Sequence, residues 1–211
     1  MEPDMTTGPM AAKLIPLLFN MMGPIGVIPV FAALTAQMDD ETRRSVARRA
    51  TFLAFCALAL AVFLGAAMLK AWGISNGSLI LAAGVIVTLT ALRSLVSPQV
   101  GVAASSQGAT PASPQQLAVT PLAFPALVTP RAVGVLIIFV AFFESAAERL
   151  VLLAVAVLIL VLDYIGMRAA RWFMASIGMT PLLVLGAVFG VLQVALGVQM
   201  MVEGWQLLAL P

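Results

Sequence analysis

The stretch that decides the fold is NMMGPIGVIP, residues 20–29, which lies within an apolar run from Leu14 to Leu34. The run has the length of a membrane-spanning helix, which needs about 20 apolar residues to cross the hydrocarbon. Pro24 and Pro29 each lack the N–H group that a helix interior uses, and each clashes with the preceding turn. In lipid, every backbone group freed in this way must find a partner in protein or trapped water. The stretch therefore predicts a membrane helix that is interrupted and faces other parts of the protein.

The composition of the whole chain places it in a membrane. Of its 211 residues, 62% are hydrophobic and only 9% are charged, whereas a soluble domain has about 25% charged residues. A soluble fold cannot hide so much apolar surface, so lipid must be the solvent. We therefore predict an all-α membrane protein with six transmembrane helices. The five further apolar stretches are Ala50 to Leu69, Leu79 to Val96, Leu117 to Phe143, Leu150 to Arg168 and Leu182 to Leu208.

An uncharged linker divides the chain into two halves. Residues 97–116 are rich in Ser, Pro, Gly, Ala and Gln, a composition typical of flexible linkers. We expect one three-helix repeat over 1–96 and a second over 117–211. Because each half has an odd number of helices, the repeats are predicted to be inverted in the membrane.

A weak internal repeat supports this division. At an offset of 106 residues, Pro24 falls on Pro130, and Gly84 falls on Gly190. Chance matching of apolar residues is the competing explanation. Inverted repeats are a common plan of secondary transporters, which bind solute at the repeat interface near the midplane.

The basic residues predict the orientation. Seven of the 11 Lys and Arg residues fall on one predicted side and two on the other. Cytoplasmic loops are the ones that carry excess Lys and Arg. We therefore expect a cytoplasmic linker and both termini on the periplasmic side of a bacterial inner membrane. The seven are Arg43, Arg44, Arg48, Arg49, Arg93, Arg168 and Arg171, and the two are Lys70 and Arg149.

The fourth apolar stretch repeats the pattern of the first in PLAFPALVTPRAVG, residues 121–134. Gly23-Pro24 and Thr129-Pro130 each place an acceptable N-cap before a proline at the first helical position. A restarted half-helix presents free N–H groups and the positive end of its dipole, which suit an anionic group. We predict that helices one and four are broken near the midplane. The alternative is that the prolines merely kink continuous helices.

These residues resemble the MarC family of bacterial inner-membrane proteins, grouped with six-helix neutral amino acid transporters. The family signature Asn-Pro-x-Gly-x-x-Pro-x-Phe-x-x-Leu-Thr is matched by residues 23–35 except that Gly23 replaces the asparagine. The family's Pro-Leu-Ala-x-Pro is matched by residues 121–125, whereas its later Gly-Pro-Gly becomes residues 129–131, ending in Arg131. Near the end of helix six, Gln199 occupies a glutamine position of the family.

The resemblance covers nearly the whole chain and implies a transporter-like fold with paired inverted repeats. For some relatives it implies small neutral amino acids as substrates. The departures at Gly23, Thr129 and Arg131 lie where a substrate would sit, so the identity of the substrate does not carry over.

The candidate substrate-binding residues come from the two interruptions and from helix six. Arg131 either binds a carboxylate, narrows the site, or extends to lipid headgroups. Asp163 in helix five either couples protons or ions, pairs with Arg131, or lies in interfacial water beside Arg168 and Arg171. Gln193 is read as a bond between helices. The substrate-binding candidates are Asn20, Gly23, Pro24, Gly26, Thr129, Pro130, Arg131 and Gln199.

The sequence favours a transporter or exporter of a small polar solute. The chain has no histidine and one cysteine, which leaves little for an enzyme, a metal site or a cofactor. No nucleotide-binding loop is present, and the basic residues are accounted for by topology rather than by nucleic acid. The expected partners are the lipid bilayer and a small-molecule solute, with a homo-oligomer left open. The alternative function is a non-transporting membrane partner or sensor.

Overall fold

The computed structural model describes residues 7–96, 113–143 and 145–209, which fold almost entirely into helices, and no strand occurs in those ranges. In chain order, the helices are α1 (Thr7–Met22), α2 (Pro24–Leu34), α3 (Asp40–Trp72), α4 (Asn76–Val96), α5 (Pro114–Leu117), α6 (Ala118–Leu127), α7 (Pro130–Phe142), α8 (Ala146–Arg168), α9 (Ala170–Ser176) and α10 (Met179–Ala209).

The helices have the lengths of membrane spans. Within the described residues, five helical segments are long and apolar enough to cross a membrane. The α5–α6 segment and α7 make a sixth when the bent pair is counted as one span. Many large apolar side chains of α3, α8 and α10 are exposed, as expected of surfaces that face lipid. The prediction of an all-α membrane protein is confirmed, and the segments overlap the six apolar stretches. α3 begins at Asp40, ten residues before the predicted start at Ala50, so Arg43, Arg44, Arg48 and Arg49 lie in a helix and not in a loop.

Polar caps begin two of the long helices. Ser145 accepts a hydrogen bond from the Glu148 amide, and the Glu148 side chain accepts from the Ser145 amide, which forms a capping box at the start of α8. At the start of α3, the Asp39 carboxylate accepts from the Thr42 amide at 3.0 Å. Hydrogen bonding by the Thr42 side chain and amide lowers the pKa of Asp39.

The linker lies mostly outside the described residues. Of its predicted extent, only Ser113 to Gln116 is described, and these residues form another capping box at the start of α5. The helix therefore begins at Pro114, three residues before the predicted start at Leu117. The polar residues Ser113 and Gln116 belong to a helix start rather than to a linker.

The first interruption is confined to Gly23, whose φ of −65° and ψ of 168° are extended. α1 ends at Met22 and α2 begins at Pro24. The two helices together remain one apolar segment, Ile15–Leu34, that passes as a single candidate span.

The second interruption is wider. Thr120 and Phe124 are extended within α6, because a following proline disfavours helical backbone in the residue before it. α6 ends at Leu127 and α7 begins at Pro130, and the α5–α6 segment is bent by 59° from α7. This geometry is that of a broken span or a re-entrant loop.

Glycines bring α4 and α10 close together. A Cβ atom added to Gly84 would lie 2.7 Å from the Gly197 carbonyl oxygen, and one added to Gly204 would lie 2.8 Å from the Gly77 carbonyl oxygen. Such contacts leave no room for a side chain, which is typical of small-residue helix packing in membranes.

The segments that follow α2 and α8 meet at one end of the molecule. The Arg171 guanidinium donates to the Asp40 carboxylate at 2.7 Å and to the Met38 carbonyl at 3.2 Å. Asp40 also accepts from Arg43, whose Nε donates to the Thr35 hydroxyl. α1 and α2 both pack on α8, and the segments that follow α2 and α8 meet, so α2 and α8 run in the same direction, with the end of α8 beside the start of α2.

Candidate functional site

The interruption at Gly23 frees backbone carbonyl groups near the end of α1, two of which, those of Asn20 and Met21, find donors elsewhere in the fold. In a continuous helix the Asn20 carbonyl would accept a hydrogen bond from position 24, but Pro24 has no N–H group. The Met21 carbonyl would accept from Ile25, and the extended Gly23 takes that amide out of helical register. Buried carbonyl groups without partners cost free energy, so other parts of the fold must supply donors.

Gln193 of α10 satisfies the first freed carbonyl. Its amide nitrogen donates to the Asn20 backbone oxygen at 2.6 Å and lies 3.2 Å from the Asn20 side-chain oxygen. Gln193 is almost fully buried. The amide therefore joins α10 to the end of α1, as a bond between helices does, and also places polar groups beside the interruption.

The second interruption satisfies the other freed carbonyl. The Thr129 hydroxyl and the Arg131 Nε each donate to the Met21 backbone oxygen at 3.2 Å. The Thr129 oxygen also accepts from the Ala132 amide at 3.2 Å, which caps α7. The two interruptions, which lie more than 100 residues apart in the chain, are therefore in direct contact.

A cavity of about 190 Å³, here called the central cavity, opens beside this contact. It is lined by the end of α1, by α2, the first half of α10, the end of α4 and the start of α7. Most of its wall is apolar, which suits a small organic solute, and a few polar groups converge on it. The polar side chains of the lining are Asn20, Ser94, Thr129, Arg131 and Gln193.

The predicted site residues divide into two groups. Asn20, Gly23, Gly26, Thr129 and Arg131 all line the central cavity. Gly23, Thr129 and Arg131, the three departures from the quoted family patterns, therefore lie in the same cavity.

The other candidates lie elsewhere. The prolines at 24 and 130 shape the chain but do not line the central cavity; Pro130 is exposed and Pro24 faces α8. Gln199 is exposed and donates to the Glu203 carboxylate at 2.9 Å. Gln193 of α10 contributes an amide side chain to the central cavity. Gln193 lies three residues after Gly190, the glycine that the repeat aligns with Gly84.

Arg131 carries a positive charge without a counter-ion in the described part of the chain. Its only hydrogen bond there is the one from Nε to the Met21 carbonyl, and no ion pair involves it. Among the residues that line the central cavity, none is acidic. The side chain turns into the protein at the interruption, so extension to lipid headgroups is not what the structure displays.

Asp163 is fully buried, and neither of its carboxylate oxygens has a hydrogen-bond partner within the described residues. Three residues further along α8, a Cβ atom added to Gly166 would lie 3.0 Å from the Pro24 Cβ. Because α2 and α8 run in the same direction, Asp163 lies about 4.5 Å before that contact, level with the interruption at Gly23. Asp163 is therefore not in interfacial water beside Arg168.

The helical segments and the apolar surface define an integral membrane protein that crosses the bilayer several times. Residues 9–208 match the MarC family, described as MarC family integral membrane protein, and the chain belongs to that family.

Relatives support this assignment along most of the chain. The UPF0056 membrane protein YhcE of Escherichia coli is 28% identical over 190 residues, covering 89% of this chain and 87% of the relative. A UPF0056 membrane protein of Archaeoglobus fulgidus is 29% identical over 160 residues, covering 76% and 73%. One from Methanocaldococcus jannaschii is 25% identical over 187 residues, covering 89% and 91%. No solved structure matches the chain significantly.

Proposed function

We propose that this protein carries a small polar solute across a bacterial inner membrane and that it has no enzymatic activity. The observation that supports the proposal is the central cavity at the contact between two helix interruptions. Polar groups inside a membrane are costly, and those that face a cavity typically mark a solute pathway. Small neutral amino acids, which the family resemblance implies, are the first solutes to test.

The helix contacts support a two-fold plan. The first span, α1 with α2, packs on α8, and the fourth span, α6 with α7, packs on α3. α3 also packs on α8, and α4 packs on α10. An exchange of the two halves leaves this set of contacts unchanged, as inverted three-helix repeats require. In this proposal, the interruptions of helices one and four lie near the midplane, with both termini on the periplasmic side.

The residues of the cavity wall suggest which state is present. The wall runs from the interruption to Ala33 near the end of α2 and to Ser94 and Leu95 near the end of α4. In the proposed orientation these helix ends are cytoplasmic, so the cavity faces the cytoplasm. Alternating access would open the same polar groups to the other side.

Asp163 is the acid that we propose for coupling. An ionised carboxylate without partners is very unfavourable in an apolar interior, so we expect this group to be neutral in the state described. Release of its proton in another state would link solute movement to the proton gradient. An imposed pH gradient should therefore drive solute uptake by the unmodified protein and not by the Asp163→Asn variant.

A cavity-filling substitution tests the carrier function. Nothing lies within 4 Å of a Cβ atom added to Gly26, so Gly26→Phe should occupy the central cavity without disrupting the backbone. The variant should fold and should abolish uptake of labelled alanine and other small solutes into proteoliposomes. Leu89→Phe, on a well-exposed position of α4, is the matched control and should transport normally. No flux by the unmodified protein across a broad solute panel would favour the membrane partner or sensor instead.

A further inference from the structure

We infer that the central cavity selects small organic anions, with a carboxylate held by the Arg131 guanidinium. This inference rests on the proposed function for its setting, and it names the class of solute. The first observation is the charge of the cavity wall, which contains one cation, Arg131, and no acidic side chain. A cation inside a membrane protein typically pairs with a counter-ion or with backbone carbonyls; within the described residues Arg131 has one carbonyl partner, that of Met21, and no counter-ion.

The hydrogen bond from Nε to the Met21 carbonyl orients the guanidinium. That bond uses one of the five N–H donors of the group. The terminal nitrogens, which form the fork that binds carboxylates with two parallel hydrogen bonds, make no hydrogen bond to the described residues. Arg131 also lies in the first turn of α7, where the helix dipole favours negative charge.

The rest of the wall discriminates against a positively charged group. The Asn20 side-chain oxygen already accepts from Gln193, and the Met21 carbonyl already accepts two hydrogen bonds. An ammonium group would therefore meet no carboxylate and few free acceptors beside a like charge. An α-hydroxy acid should bind better than the α-amino acid of the same shape, since its hydroxyl both donates and accepts.

The size of the cavity limits the solute. Its volume of about 190 Å³ is below the ~300 to 1,000 Å³ of sites for drug-sized ligands. A small carboxylate such as lactate fits a cavity of that volume.

Calorimetric binding to the purified full-length protein in nanodiscs tests the inference. The probes are lactate, its neutral analogue lactamide, alanine, and the carboxylates from acetate to butyrate. Lactate should bind at least about tenfold more tightly than lactamide and more tightly than alanine, as expected for charge-assisted hydrogen bonds. Arg131→Gln should abolish the difference between lactate and lactamide. Arg131→Lys should keep part of it, because the charge stays and the fork is lost.

Arg48→Gln is the matched control, because Arg48 is exposed on α3 and does not line the central cavity. It should leave every affinity unchanged. The inference is overturned if no carboxylate binds, if lactamide and lactate bind equally, or if Arg131→Gln leaves the preference intact. Carboxylate binding without flux in proteoliposomes would instead refute the carrier function and leave the inference standing. Flux of neutral solutes without carboxylate preference would refute the inference and leave the carrier function standing.

Discussion

The substitution Thr129→Val removes the hydroxyl group that joins the two helix interruptions. This hydroxyl caps α7 by accepting from the Ala132 amide, and it donates to the Met21 carbonyl. Loss of an N-cap costs about 0.5 to 2 kcal/mol, and loss of an interhelical hydrogen bond in a membrane costs about 0.6 kcal/mol on average. Because Arg131 continues to bond Met21, we expect a total loss of about 1 to 3 kcal/mol in the free energy of unfolding.

Reversible unfolding in mixed detergent micelles, followed by tryptophan fluorescence, measures this loss. Thr90→Val is the matched control, because among the described residues the Thr90 hydroxyl bonds only to the Ile86 and Val87 carbonyls of its own helix. That control should change the free energy of unfolding by less than about 0.5 kcal/mol. Thr129→Ser keeps the hydroxyl and should recover most of the lost stability. Equal effects of Thr129→Val and Thr90→Val would refute the contact between the interruptions.

Three further predictions concern stability. Gly84→Ala should lower the free energy of unfolding by about 1 to 3 kcal/mol through overpacking against α10, whereas Gly186→Ala, whose added Cβ atom meets nothing within 4 Å, should be close to neutral. Unfolding in detergent compares the two variants, and equal losses of stability would contradict the close packing of α4 on α10. Asp163→Leu, which keeps the side-chain branching, should leave the free energy of unfolding unchanged or raised in the same assay. A loss above about 1 kcal/mol would show that the Asp163 carboxyl group makes a stabilising hydrogen bond. Because the pKa of Asp39 is lowered in the folded state, its contribution to stability should be complete above about pH 4 and should vanish as the pH falls through the folded pKa. The free energy of unfolding of Asp39→Asn, measured as a function of pH, should lack this acid-dependent change. Identical pH dependence in the variant and the unmodified protein would contradict the role of Asp39 as a cap.

Much of the fold could be predicted from the sequence because lipid imposes simple rules. A span must be long and apolar, so the six stretches were legible from composition alone. The caps before Pro24 and Pro130 were equally legible, because they depend on neighbouring residues. The width of the second interruption could not be predicted from the sequence, since it depends on extended backbone at Thr120 and Phe124 and on how the bent segment packs.

The partners at the candidate site could not be predicted from local patterns. Gln193 and Asn20 lie 173 residues apart, and which of two glutamines on α10 faces the cavity depends on the rotation of that helix. The family match favoured Gln199, and the structure directs Gln193 inward instead. The roles of Arg131 and Asp163 in transport stay predictions.

Solute protection of a cysteine in the central cavity tests the central claim most directly. In a Cys56→Ser background, which removes the exposed native thiol, Gly26→Cys should react with a membrane-impermeant thiol reagent added from the cytoplasmic side. A saturating small carboxylate such as lactate should slow that reaction severalfold, and lactamide should not. A Gly26→Cys thiol that stays unreactive, or that reacts at the same rate whatever small solute is present, would contradict a solute site between the two interruptions.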